Sequence, residues 1–108
     1  MKVVHLIPWL KIGGSELLLK RHVAEMLASY PEVQSEVWVL GSAADSESAL
    51  VQSMPVPPRF LNLCIDYRRP LQLVRGCRSL ADALRAAGAS LVHSYLMPAD
   101  VFASIAAV

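Results

Sequence analysis

Hydrophobic and polar positions along the chain alternate between two periods. Residues 2–7 (KVVHLI) form a short, largely β-branched apolar run that stops at Pro8, the pattern of a buried strand. Residues 36–40 (EVWVL) repeat it before Gly41 and Ser42. Residues 59–63 (RFLNL) alternate more and follow Pro55, Pro57 and Pro58, which suits a strand nearer a sheet edge. Residues 90–94 (SLVHS) make a fourth.

Helical spacing fills the intervals. Over residues 15–30, Leu19, Val23, Met26, Leu27 and Tyr30 share one face of a helical wheel, and Lys20, Arg21, Glu25 and Ser29 lie elsewhere. Leu17 and Leu18 fall off that stripe, free to meet another domain or a membrane surface. A second helix over 70–87 places Leu73, Val74, Cys77, Leu80, Ala81 and Leu84 on one side and Arg75, Arg78, Asp82 and Arg85 on the other. Pro70 suits its first turn and Gly88 its C-terminal cap. A short helix is expected within 43–53. The segments 43–58 and 64–69 contain the expected loops.

Strands separated by helices imply parallel pairing through right-handed crossovers, hence an α/β fold with helices on both faces of an open, mostly parallel, Rossmann-like sheet. The expected strand order is 3-2-1-4. Strands one and four then meet at a topological switch point, where Pro8 to Gly14 and Tyr95 to Pro98 would face a common crevice. Pro98 and Asp100 open a last helical pattern that runs apolar to Val108 without a cap. The expectation is one Rossmann-like domain over 1–108, the front part of a longer protein.

Length and composition agree with one domain: 108 residues with a net charge of +1. That charge offers no field for nucleic acid. An apolar fraction of 55% and a mean hydropathy of +0.43 exceed the ~45–50% usual in soluble domains. The excess fits a sheet covered on both faces or apolar surface meant for a further element. No apolar run approaches the ~18 residues of a membrane span. The expected location is the cytoplasm. Cys64 and Cys77 form neither a metal pattern nor a disulfide framework, so both are expected reduced, with Cys77 in the core.

Candidate chemistry centres on PWLKIGGSE, residues 8–16. Gly13 and Gly14 let a ligand oxygen approach backbone N–H groups where the helix dipole favours anions, and Ser15 can cap the helix. The plain alternative is a strand-to-helix turn. No GxGxxG is present, no acidic residue follows the second strand, and no GK[ST] follows the glycines, so neither a dinucleotide nor a P-loop reading holds. His93 ends the fourth strand, either as a satisfied core histidine or as a functional group facing the crevice. His5 reads as buried and neutral, His22 as solvent-exposed. Arg68, Arg69, Arg75 and Arg78 read as solvated charge or as a patch for anionic lipid at the inner face of the membrane.

KVVHLIPWLKIGGSE, the strand EVWVL and AGASLVHSYLMPAD together resemble the N-terminal domain of the retaining glycosyltransferases of family four, which have the two-domain GT-B fold. The resemblance implies transfer of a sugar from a nucleotide-sugar donor to a glycan, lipid or polysaccharide-precursor acceptor, with no metal or other cofactor. It implies donor and acceptor contacts for Gly13, Gly14, Ser15 and Tyr95 and a catalytic place for His93; Tyr95 stands where the family often has a second histidine. Most nucleotide contacts would lie in a partner C-terminal domain, so the isolated chain is expected to be inactive. Two rival readings are a flavodoxin-like, non-catalytic nucleotide- or ligand-binding module, and an interaction protein that self-associates through its last helix.

Overall fold

A computed structural model describes residues 2–10, 14–42, 46, 48–63 and 68–95. Seven elements follow in the order β1 (Lys2–Ile7), α1 (Gly14–Ser29), β2 (Gln34–Val39), α2 (Ser48–Ser53), β3 (Arg59–Phe60), α3 (Pro70–Ala87) and β4 (Leu91–Ser94). The four strands are all parallel and lie in the order β3-β2-β1-β4. The expected sheet is thus the observed one, with β1 central and paired on both sides. His5 stands opposite Val37 on β2 and His93 on β4.

Side chains of β1 alternate between two layers, as a strand requires. Val4 and Leu6 pack with Trp38, Leu40, Cys77 and Leu80 on the α3 side. Ile7 packs with Leu10, Leu19, Val23, Val37, Val39, Leu50, Met54 and Tyr95 on the side of α1 and α2. Covering both faces accounts for much of the high apolar fraction. At the margin of the sheet, Lys2 Nζ donates to the Ala87 carbonyl at 2.7 Å and lies 3.0 Å from a Glu36 carboxylate oxygen. Trp38 Nε1–H donates to Glu36 at 3.0 Å, and this bond, with Lys2, holds the Glu36 carboxyl below its ordinary pKa.

Element boundaries carry physical reasons. α3 spans the expected residues, with Pro70 in its first turn and Gly88 in the left-handed region at φ 69°, its N–H returning to the last-turn carbonyls. β3 is shorter than the expected 59–63 because Asn62 takes φ 55° and turns the chain, although Leu61 and Leu63 N–H still donate to Val39 and Leu40. β2 starts two residues before the expected position. The expected short helix appears as α2, six residues long.

The stripe of α1 needs correction. Leu19 and Val23 are fully buried, but Leu27 is 38% exposed and Tyr30 54%. Tyr30 lies beyond the helix end, and the C-terminal half of α1 borders an open cavity instead of packed sheet. Val74, expected on the inner face of α3, is 65% exposed; Gly76, Cys77 and Leu80 are the residues that helix buries. Leu17 and Leu18 are exposed, in agreement with their place off the stripe. Cys77 is a free thiol in the core, and burial raises its pKa; Cys64 lies outside the described residues.

Candidate functional site

The loop after β1 leads into α1, whose first residue is Gly14. Before that loop, Leu10 N–H donates to Ser46 Oγ at 3.1 Å, which ties the end of β1 to the segment after β2. Gly13 lies outside the described residues, and Ser15 belongs to the first turn of α1. A β-carbon added at Gly14 would meet nothing within 4 Å. Packing therefore does not demand glycine there. Gly14 borders a shallow depression with Leu17, Leu18 and Arg21, and Glu16 is buried in the first turn, where a carboxylate complements the helix dipole.

The second group assembles around Tyr95. Its N–H donates to the Leu6 carbonyl at 2.8 Å, continuing the β1–β4 pairing, and its side chain is only 6% exposed. The phenol oxygen lies 3.3 Å from His5 Nδ1, 3.1 Å from His22 Nδ1 and 3.3 Å from His93 Nδ1. Three histidines from β1, α1 and β4 thus share one hydroxyl. The His93 and Tyr95 ring centroids are 4.5 Å apart, and His22 stacks on His93 at 5.9 Å with an interplanar angle of 22°.

Proton accounting restricts this cluster. A phenol donates one hydrogen bond and accepts two. It satisfies three ring nitrogens only when two imidazoles carry their proton on Nδ1 and the third accepts from the phenol. Two neutral rings of that kind present bare Nε2 lone pairs. Burial, joined by repulsion from charge on His93 and His22, lowers the His5 pKa from 6.5 to about 4, so His5 is neutral at pH 7. Burial also pushes the Tyr95 phenol up to about 12, keeping its proton in place.

His5 is 2% exposed, and its Nε2 has no hydrogen-bond partner. This ring lines a cavity of about 570 Å³ together with Val3, His22, Glu25, Met26, Ser29, Tyr30, Leu91 and His93. Among the described residues, no group of three or more His, Cys, Asp or Glu is arranged to hold a metal ion.

Of the residues singled out from the sequence, His93 and Tyr95 are brought together, whereas Gly14 borders a different depression. His5 is buried, as expected. His22 is not free in solvent: it is half-buried against Tyr95, because its position on α1 turns it toward β4. The cluster had a sequence signal in parity. Residues 3, 5 and 7 of β1 share a face, residues 91, 93 and 95 share one beside it, and adjacency of the two strands brings those faces together. Arg75 and Arg78 are exposed on α3, as are Arg68 and Arg69 before it. The last helical pattern, from Pro98 onward, lies outside the described residues. Among the described residues, no helix is long and apolar enough to cross a membrane.

Compared with known protein families, curated proteins and solved structures, the chain shows no significant match.

Proposed function

We propose that this chain supplies the acceptor-side, Rossmann-like half of a retaining glycosyltransferase that uses a nucleotide-sugar donor. The supporting observation is the strand order β3-β2-β1-β4, whose switch point between β1 and β4 is where ligands gather in open α/β sheets. The glycine-containing loop enters α1 from the carboxyl end of β1, on that side of the sheet. Backbone N–H groups at a helix start suit the diphosphate of such a donor, and they stabilise charge that develops as the nucleoside diphosphate leaves. The bond from the anomeric carbon to the diphosphate oxygen breaks, a bond to an acceptor hydroxyl oxygen forms on the same face, and the hydroxyl proton passes to the departing diphosphate. His93 and Tyr95, at the end of β4, line the acceptor approach in this reading. A ligand-binding module without catalysis is the second reading, favoured by the cavity beside Tyr95.

Calorimetry of the full-length translation product against uridine, guanosine and adenosine diphosphate sugars tests the proposal. At least one donor is expected to bind and to be turned over. Gly14→Val is expected to weaken that binding about tenfold or more by blocking close backbone approach. Because a side chain has room at Gly14, the fold itself is expected to survive the change. Absence of donor binding and turnover would overturn the proposal, as would full activity in Gly14→Val.

A further inference from the structure

We propose that the cavity between β1, β4 and α1 binds a small molecule carrying a protonated amine on an apolar body. This goes beyond the glycosyltransferase reading while sharing His93 with it, since the cavity lies along the α1 face of the sheet, beside Val3 and Leu91 near the strand starts. The first observation is the orphaned His5 Nε2: a buried ring nitrogen without a partner, on a residue that is only 2% exposed and lines the cavity. An unpartnered buried polar atom costs stability unless something occupies it.

The chemistry of the wall selects the ligand. Tyr95 engages His5, His22 and His93 through their Nδ1 atoms, which leaves the Nε2 atoms facing away from the hydroxyl, and the neutral His5 ring offers a lone pair at Nε2 when its proton sits on Nδ1. Glu25 adds a carboxylate at the exposed rim of the same cavity. An ammonium group has three donors and a positive charge, matching the His5 lone pair and the Glu25 carboxylate, whereas an anion meets the negative charge of Glu25. Val3, Met26 and Leu91 supply apolar wall for the ligand's body. A volume of about 570 Å³ falls in the range of small-molecule sites.

Three probes with one body and different heads, 2-phenylethylamine, 2-phenylethanol and phenylacetate, test the inference. Each is titrated at pH 7.5 into the full 108-residue chain, with calorimetry and histidine-ring NMR as readouts. The amine is expected to bind and to shift the His5 ring signals, the alcohol to bind more weakly and the carboxylate not at all. Glu25→Gln is expected to weaken amine binding about fivefold, the scale of an exposed ion pair. Met26→Trp, checked for native circular dichroism, is expected to fill the cavity and abolish binding without altering its charge. No amine binding at millimolar concentration would overturn the inference. Alcohol or carboxylate binding as tight as the amine's would also overturn it, as would binding that leaves the His5 signals unmoved. These outcomes are separate from the nucleotide-sugar measurements, so failure of one proposal does not imply failure of the other.

Discussion

Tyr95 joins three histidines from three elements through one hydroxyl. Its contacts gather the three imidazoles at one point, and the burial of His5 there makes a charge on that ring costly. The consequence is a pH-dependent stability of definite sign. In the unfolded chain His5 takes up a proton near its ordinary pKa of 6.5, while in the fold it resists protonation until about pH 4. Between those values the unfolded state binds more protons, so stability falls as the pH is lowered from 6.5 toward 4 and levels below. Integrating to pH 5, above the main titration of Glu36, gives a loss of about 2 kcal/mol relative to pH 7.5. Urea unfolding at pH 7.5 and pH 5 measures it directly. An unchanged midpoint would mean that His5 is already free to protonate in the fold.

Helix termini are where sequence pattern and structure agree best. Pro70 and Gly88 bracket α3 because proline fixes the backbone of a first turn and glycine enters the left-handed region at little cost. Gly88 and Gly14 differ in that respect, and the difference predicts opposite outcomes for the same change. Gly88→Ala would place a β-carbon at φ 69°, at an expected cost of about 1 kcal/mol in the urea-unfolding free energy. Gly14→Ala, with open space and no positive φ, is expected to leave stability unchanged or slightly raised. Equal losses at both positions would contradict the conformational account. Less was readable along the faces of the helices. Periodicity assigned Leu27 and Tyr30 to the buried stripe of α1, but a wheel carries no information on how far the underlying sheet extends. Val74 fails for a related reason: it lies toward the margin of the α3 stripe, while Cys77 and Leu80 point at its centre.

At the scale of the whole molecule, strand order was readable because four apolar runs separated by helices leave few right-handed, parallel arrangements. The histidine cluster was not read, since it joins residues 5, 22, 93 and 95 through the register of β1 with β4, which no local pattern specifies. The same sheet joins two otherwise separate apolar layers. Leu19 belongs to the layer under α1, Leu80 to the layer under α3, and both side chains are fully buried. Neither layer can persist alone, because β1 contributes alternate side chains to each and its backbone hydrogen bonds serve both. Leu19→Ala and Leu80→Ala are therefore each expected to destabilise the chain by ~2–5 kcal/mol within one cooperative transition. Fluorescence of Trp38, buried in the α3 layer and read in a Trp9→Phe background that removes the second tryptophan, should follow loss of the α1 layer as faithfully as far-ultraviolet circular dichroism does. If Leu19→Ala instead separated the two signals into distinct transitions, the layers would fold independently and the sheet would not couple them.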